Sequence, residues 1–305
     1  GLRVEGLESG ERHRLRMEAR AFDAEDERQS AHGLRDINVQ GRYYTEDGLE
    51  ITLGLGSTPQ GGVLDPTWRT EVGLGWLESE QGGRLRLVRR SVEQSVLSTS
   101  GSEQAATTDM PAIAWGRVMR EGVELEGYRA LGSWKAEGSL ALAQLKGEGV
   151  ADNRMFEVYA NALHPVPGML EELTLGPTIY ATGYQKNLSP FTPGNGGYYS
   201  PEHLLRLAAM ARYQPYAKTD TGFNLRLDAS LGWQVSSEAA ASPSPLAPDA
   251  QYSIAPGRNQ GLAATVDLDM RQRVNKNWRY GLLFSGQKSP DYSFLSTQIY
   301  VIYSW

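Results

Sequence analysis

Hydrophobic and polar residues alternate along most of this chain. In residues 223–235 every second side chain is apolar, and the positions between them carry polar groups and charges of both signs. Residues 262–270, 278–284 and 49–55 repeat the pattern. Strict alternation is typical of strands with one apolar and one polar face. The runs extend over roughly 9 to 14 residues, which exceeds the ~5–6 of globular strands and is close to the ~9–11 of a tilted strand that crosses a bilayer.

The pattern predicts an all-β fold, a transmembrane antiparallel β-barrel that residues 1–305 form as one domain. Fourteen strands can be counted directly, and a weaker run at 2–9 adds a fifteenth. Single-chain bacterial barrels usually have an even number of strands, so the expected total is sixteen. The counted strands lie near 11–24, 35–45, 48–56, 67–77, 84–93, 113–129, 133–145, 153–163, 171–183, 203–215, 222–235, 259–273, 276–287 and 292–305.

Short connections alternate with long ones between these strands. Outer-membrane barrels have short periplasmic turns and longer extracellular loops, so the alternation predicts a bacterial outer-membrane location. A barrel of this size has a water-filled lumen. The short connections lie at 45–48, 131–133, 164–168 and 274–277, and the long ones at 25–34, 57–66, 94–111, 146–152, 184–202 and 236–258.

The last strand has an apolar face that reaches the final residue. Ile299, Val301, Tyr303 and Trp305 occupy every second position. We expect them to form the lipid face of the strand that closes the barrel against the first, because closure removes an edge with unpaired backbone groups. The terminal aromatic residue resembles the signature that outer-membrane barrels present to their assembly machinery.

Composition excludes several classes of protein. The chain has no cysteine, which excludes thiolate zinc sites and cysteine nucleophiles, and its 4 histidines show no HExxH spacing. The net charge of -6 argues against a nucleic-acid partner held by phosphate contacts. No apolar run approaches the ~18 residues of a membrane-spanning helix. No nucleotide-binding glycine motif is present, so we expect neither a metal nor another cofactor.

The loop GNGGYYSP, residues 194–201, is the most informative connection. Its glycines permit tight turns, and Tyr198 and Tyr199 offer flat faces suited to stacking on sugar rings; an ordinary flexible loop with exposed tyrosines is the alternative. Ser200 and His203 are the closest approach to a nucleophile and a base. Neighbours in sequence rarely form a catalytic triad, so we expect no catalytic residue and no enzyme.

The inward face of the predicted barrel carries both charge signs. Mixed charges do not form a one-sign selectivity ring for small ions, and they offer donors and acceptors to an uncharged, hydroxyl-rich solute. The alternative is that they only solvate the wall of a porin. The candidate residues of a solute path or a gating loop are Asn195, Gly196, Gly197, Tyr198, Tyr199, Ser200, Arg89, Arg90, Tyr44, Tyr128 and Tyr180.

Five segments resemble the C-terminal barrel domain of cellulose synthase operon protein C, the outer-membrane subunit of bacterial cellulose secretion systems. They are GNGGYYSPEHLLRLA, LGLGSTPQG (53–61), RRSVEQSVLS (89–98), WGRVMREGVELEGYRA (115–130) and DYSFLSTQIYVIYS (291–304). The GGYYSP and RRS blocks together are fairly specific. The resemblance implies an outer-membrane channel without catalysis that exports a nascent exopolysaccharide, with cellulose as the first expectation.

The resemblance also implies partners outside this chain. It implies a periplasmic scaffold of tetratricopeptide (TPR) repeats before Gly1, which would account for the missing signal peptide, and an inner-membrane synthase complex that supplies the polymer. Outer-membrane lipid is expected around the barrel. Exporters of poly-N-acetylglucosamine and Pel-type polysaccharide share the architecture and stay open as alternatives, as do a small-solute porin, a barrel enzyme and a soluble β-sandwich that binds a ligand.

Overall fold

Antiparallel strands make up nearly all of the computed structural model of this chain. The structure describes residues 2–7, 13–26, 28–106, 112–168, 172–215, 222–247, 251–275 and 278–303. In this part of the chain no helix has the length and apolar character needed to span a membrane. The elements are β1 (Leu2–Leu7), β2 (His13–Glu25), β3 (Ser30–Tyr44), β4 (Leu49–Ser57), β5 (Trp68–Leu77), β6 (Gln81–Ser91), α1 (Val96–Ser100), β7 (Ser102–Gln104), β8 (Ile113–Leu131), β9 (Trp134–Glu148), β10 (Asn153–Pro165), β11 (Leu173–Tyr184), β12 (His203–Tyr213), β13 (Phe223–Glu238), β14 (Gly257–Arg273), β15 (Trp278–Lys288) and β16 (Ser293–Tyr303).

Each strand pairs with the next one along the chain, as the pattern predicts. The continuous order runs from β1 to β6 and from β8 to β16, and all its pairs are antiparallel. Sixteen strands are described, but β7 is a three-residue strand that pairs only with β8. The continuous sheet therefore has the fifteen strands counted from the sequence. Cα atoms of β1 and β16 come within 8 Å of each other, although no hydrogen-bonded ladder joins these two strands among the described residues.

Several strands are longer than the sequence pattern indicates. The loops predicted at 25–34 and 146–152 shrink to the four-residue connections 26–29 and 149–152, because the flanking strands continue to pair. The loop predicted at 94–111 contains α1 and β7. Backbone hydrogen bonds do not depend on side-chain polarity, so a hairpin can extend into water after the alternation has ended.

Alternate residues of the strands face opposite sides, and the two sides differ sharply. The apolar set is exposed on the outside; Leu53 is 59% exposed, Leu142 55% and Leu231 61%. The opposite set is polar and shielded, as with Glu50, which is 1% exposed. An apolar outer band around a polar interior is the arrangement of an outer-membrane barrel. Trp68, Trp76, Trp134, Trp233 and Trp278 also lie exposed on this outer face.

The assignment of faces predicts opposite effects at two neighbouring residues of β13. Leu231 faces outward, whereas the Ser230 hydroxyl faces inward and lies 2.6 Å from the Thr265 hydroxyl. Leu231→Arg should lower the free energy of unfolding by about 2–4 kcal/mol, because the charge would enter hydrocarbon. Ser230→Arg should cost only about 1 kcal/mol for the lost hydrogen bond. Urea unfolding in lipid vesicles measures both values, and equal costs would refute the assignment.

Candidate functional site: loop plug and inner wall

Two loop segments fold together into one end of the barrel and form a dry core there. We call residues 92–101 and 185–200 the loop plug. They pack against the ends of β8, β9 and β10, where inward positions change from charged to apolar. The buried residues of this cluster are Val92, Leu97, Trp115, Val118, Leu145, Val150, Ala151, Met155, Leu188 and Tyr198.

The first plug segment contains α1, which begins at a capping box. The Ser95 hydroxyl accepts a hydrogen bond from the Ser98 amide at 3.0 Å, and the Ser98 hydroxyl accepts one from the Ser95 amide at 3.0 Å. Gly101, with φ of 84°, ends the helix in a conformation that favours glycine. The Val96 amide donates to the Asp26 carboxylate at 3.0 Å. These contacts fix a very short helix, all five residues of which are buried.

The second plug segment contains the GNGGYYSP loop, and its first tyrosine lies at the centre of the core. Tyr198 is 1% exposed, and its hydroxyl accepts a hydrogen bond from the Asn153 amide nitrogen at 3.1 Å. Burial raises the pKa of Tyr198. A Cβ atom on Gly196 would lie 2.4 Å from the Tyr198 ring, and one on Gly197 would lie 2.8 Å from the Leu97 side chain. Both glycines are therefore required by close packing.

This burial corrects the expectation that both tyrosines of the loop present a face to a sugar. Tyr198 has no free face in this conformation because α1 and the ends of the strands cover it. Its ring instead holds the plug together. Glycine-rich loops with tyrosines do suit ligand contact, but the sequence alone does not show which tyrosine the neighbouring loops bury.

The polar residues of the same loop also hold the fold of the plug. The Asn195 amide nitrogen donates to the Ser242 carbonyl at 2.9 Å. The Ser200 hydroxyl accepts from the Leu188 amide at 2.8 Å, and no hydrogen bond joins Ser200 to His203, which is exposed at the start of β12. The structure does not bring these two residues together as a nucleophile and base. Among the described residues no cluster of three or more His, Asp or Glu side chains could hold a metal ion.

Tyr199 connects the plug to the β15–β16 turn. Its amide donates to the Gln94 side-chain oxygen at 2.9 Å, and its hydroxyl donates to the Asp291 carboxylate at 3.0 Å. Its ring is nearly parallel to that of Tyr292, with 6.3 Å between the ring centroids. Burial and the nearby Asp291 carboxylate raise the pKa of Tyr199, so the hydroxyl keeps its proton at neutral pH and remains a donor.

The inner wall below the plug is an array of ion pairs between neighbouring strands. Three arginines lie on the inward face of β6: Arg84, Arg86 and Arg90. They bond carboxylates on both sides, with 2.7 Å from Arg84 to Glu50 of β4 and 3.1 Å from Arg90 to Glu71 of β5. Arg86 pairs with Glu71 of β5 and with two carboxylates of β8, Glu124 and Glu126.

Glycines let these arginines reach past the neighbouring strand. Glu50 is two strands away from Arg84, and the β5 residue between them is Gly75. Gly73 takes the equivalent place between Thr52 and Arg86. A side chain at either glycine would fill the space through which the guanidinium groups extend. The EVGLGW pattern of β5 thus alternates an apolar outer face with an open inner one.

Arg89 does not belong to this wall, which corrects its place beside Arg90 among the path residues. Adjacent strand residues point to opposite faces, so Arg89 shares the outer face with Leu87. Its guanidinium bonds Glu121 at 2.8 Å near the plug end of the barrel, and Glu121 also pairs with Lys146 at 3.7 Å. The sequence alone predicts this difference, because the two arginines of the RRS block are adjacent and adjacent strand residues point to opposite faces.

The three predicted lumen tyrosines lie at separate points of the wall. Tyr180 donates to the Glu157 carboxylate at 3.2 Å and packs under the Arg206 guanidinium, 5.2 Å from the ring centroid. The ring of Tyr128 lies 5.3 Å from the Lys135 ammonium near the opposite end of the barrel from the plug. Tyr44 is half-buried at the end of β3. They do not form one cluster.

The closing face predicted at the C-terminus is only partly within the described side chains. Ile299 is 69% exposed on the outer face, as expected for a lipid contact. Val301 and Tyr303 lie on the same strand by register with β15, and Trp305 lies outside the described residues.

Sequence reasoning missed most of the plug core. Leu97, Leu188 and Trp115 are not among the predicted site residues, although they form its centre with Tyr198. One signal was available: Leu145 and Met155 place apolar side chains at inward positions, on the face that carries Glu137 and Glu157 further along the same strands. A change from charged to apolar residues at inward positions marks the depth at which the lumen is filled by an apolar core.

Comparison with known proteins agrees with this geometry. The family model of the cellulose synthase operon protein C C-terminus matches residues 8–305. The chain is 33% identical over 166 residues to cellulose synthase operon protein C of Xanthomonas axonopodis pv. citri, covering 54% of this chain and 11% of that protein. It is 27% identical over 292 residues to the protein of that name from Escherichia coli K12, covering 86% and 24%. The chain thus spans a quarter or less of the length of these relatives.

A solved structure of similar overall extent is the outer membrane channel DcaP of Acinetobacter baumannii. The match covers 97% of this chain and 98% of the DcaP chain, with a TM-score of 0.36 and 8% sequence identity. A likeness this weak supports no inference about function. The family match, together with the apolar outer face of the sheet, confirms the outer-membrane location predicted from the sequence. The chain belongs to the family of the cellulose synthase operon protein C C-terminus.

Proposed function

We propose that this domain is a gated outer-membrane channel through which a nascent exopolysaccharide, cellulose, leaves the cell. The observation that carries the proposal is the loop plug, a dry core seated inside one end of a barrel whose family is named for the cellulose synthase operon. Freely open diffusion pores need no such core at the mouth. A path that opens only during secretion does, because an idle wide channel would leak solutes.

The inner wall suits an uncharged polymer. Arginines and carboxylates bond each other across β4, β5, β6 and β8 instead of collecting into rings of one sign. Their free lone pairs and N–H groups can exchange hydrogen bonds with hydroxyl groups along a polymer. No single position of the paired wall would trap the chain, which is a condition for continuous movement.

The domain acts without catalysis of its own in this proposal. Synthesis at the inner membrane supplies the polymer and drives it outward, and a periplasmic TPR region guides it to the barrel. Outer-membrane lipid contacts the apolar outer face, and the assembly machinery inserts the barrel with the last strand, Ile299 to Trp305, at the seam. Poly-N-acetylglucosamine and Pel-type polymers are the alternative cargoes, since an ion-paired wall does not distinguish them from cellulose.

A domain exchange tests the proposal directly. In Escherichia coli cells that make cellulose, this chain would replace the C-terminal domain of the cellulose synthase operon protein C relative. We expect cellulase-sensitive polymer outside the cells. Its amount is compared with the amount exported by cells that carry the unmodified relative. Periplasmic retention of polymer, while the folded barrel is present in the outer membrane, would refute the cellulose channel. Export restored only in cells that make poly-N-acetylglucosamine would instead identify the alternative cargo.

Loosening the plug should open the channel. Leu97→Ala and Tyr198→Ala each remove a fully buried side chain and about 2–5 kcal/mol of packing free energy, which should raise the open population at least about tenfold. Planar-bilayer recordings of the chain measure open probability. Tyr198→Phe keeps the ring and loses only the Asn153 hydrogen bond, and Val63→Ala changes an exposed loop residue; both should stay close to wild type. A wild-type channel that is permanently open would contradict the gate.

Unpairing the wall should change ion selectivity. Arg86→Gln removes the charge that compensates Glu71, Glu124 and Glu126, so the lumen should become cation-selective. The measurement is the reversal potential in a KCl gradient, made in the Tyr198→Ala background to keep the channel open. Arg89→Gln is the matched control, because that arginine lies three residues further along β6, on the outer face. An equal shift in both variants would show that Arg86 does not face the conducting path.

A further inference from the structure

Three aromatic rings follow one another from the plug into the barrel. The Tyr199 and Tyr292 rings lie 3° from parallel with centroids 6.3 Å apart, and the Tyr292 and Phe294 rings lie 10° from parallel with the same separation. We call these three residues the aromatic file. It starts at the edge of the plug and crosses the β15–β16 turn. It ends at Phe294, the second residue of β16.

The file ends in an exposed ring on the polar side of the barrel. Phe294 pairs in register with Gln287, which lies on the inward face of β15 together with Ser285. Phe294 nevertheless keeps 44% of its surface exposed, and Tyr292 keeps 36%. The outward neighbour Leu295, 70% exposed, belongs to the lipid-facing set. An exposed phenylalanine on the polar side of a barrel offers an apolar face to something that passes there.

Hydrogen-bond acceptors without donors lie beside the file. One oxygen of the Asp291 carboxylate accepts from the Tyr199 and Ser236 hydroxyls and, at 3.1 Å, from the Gln234 amide nitrogen. The other oxygen of Asp291 and the side-chain oxygen of Gln234 are buried and have no partner. A pyranose ring combines the two complementary features, an apolar face of C–H groups and a rim of hydroxyl donors.

We propose that the aromatic file is a stacking subsite for the pyranose rings of the polymer at the plugged end of the barrel. The inference rests on the proposed function and names a binding site within it. Successive rings at equal spacing let the polymer move from one face to the next without losing contact. The Asp291 carboxylate receives one of its hydroxyl donors in exchange for the Tyr199 hydroxyl. The face of an aromatic ring can stack on any sugar unit of the polymer, so the subsite guides the polymer without stopping it.

The file also connects the polymer to the plug. Tyr199 is its first ring, and the same residue belongs to the plug through its amide contact with Gln94 and its hydroxyl contact with Asp291. A sugar hydroxyl that takes the Asp291 carboxylate competes with the Tyr199 hydroxyl. Polymer arriving at the subsite therefore weakens the contact that ties the plug to the β15–β16 turn.

The test is binding of soluble oligosaccharides to the whole chain in lipid nanodiscs. Cellohexaose is the probe, with chitohexaose and maltohexaose for comparison, and isothermal titration calorimetry measures the dissociation constants. Phe294→Ala should weaken cellohexaose binding about three- to tenfold, the amount expected for one lost ring contact. Tyr292→Ala should act similarly, and Phe294→Trp should restore binding. Leu295→Ala, on the outward side of the same strand, is the matched control and should bind as wild type does.

The outcomes separate this inference from the proposed function. Heat-modifiable mobility on gels confirms that each variant is folded before binding is measured. No binding by the wild-type chain, or equal binding by Phe294→Ala and wild type, overturns the subsite even where the domain exchange exports cellulose. Binding that depends on Phe294, with no polymer exported, supports the subsite and overturns the channel. Stronger binding of chitohexaose that still depends on Phe294 supports the subsite with the alternative cargo.

Discussion

A backbone that crosses hydrocarbon must satisfy every N–H and C=O group within the protein, and the rest of this structure follows from that constraint. Each strand from β2 to β15 in the continuous order has a partner on both sides. An unpaired group in lipid costs several kcal/mol, so a strand cannot be omitted or slip without a large penalty. Pairing in turn fixes the two-residue period that sends one set of side chains to lipid and the other to the interior.

The charges of this protein are a consequence of that division. Side chains excluded from lipid meet inside the barrel, where Glu50 is 1% exposed and Arg86 is enclosed by carboxylates. Buried charges must be paired, because the cost of leaving one alone exceeds the cost of arranging partners. The pairs reach across β5 only because Gly73 and Gly75 leave its inner face open. The wall is thus neutral in local patches and hydrogen-bonds readily, which suits a polymer of hydroxyl groups.

The plug reverses the polarity of the wall over a short distance. Leu145 and Met155 face inward on strands that carry Glu137 and Glu157 at other inward positions, and Leu97 and Tyr198 fill the space that these apolar residues enclose. A dry core inside a wet barrel holds loops in place without covalent links, and the chain has no cysteine with which to make one. Tyr199 lies at the boundary of this core and belongs to both the plug and the aromatic file, so the proposed gate and the proposed stacking subsite share one residue.

The sequence by itself determined the fifteen strands of the continuous sheet, their order and the two faces, because alternation of period two is a local property that any strand between lipid and water must have. It did not determine β7 or the extended strand ends, where pairing continues without alternation. It also contained the opposite directions of Arg89 and Arg90, although motif resemblance grouped them. Only the tertiary structure decided that Tyr198 is buried while Tyr199 and Tyr292 stack, and that Leu97 and Leu188 belong to one core. Those contacts join loops about a hundred residues apart in the chain. No local periodicity records them, since loop side chains find their partners only after the barrel has brought the strand ends together.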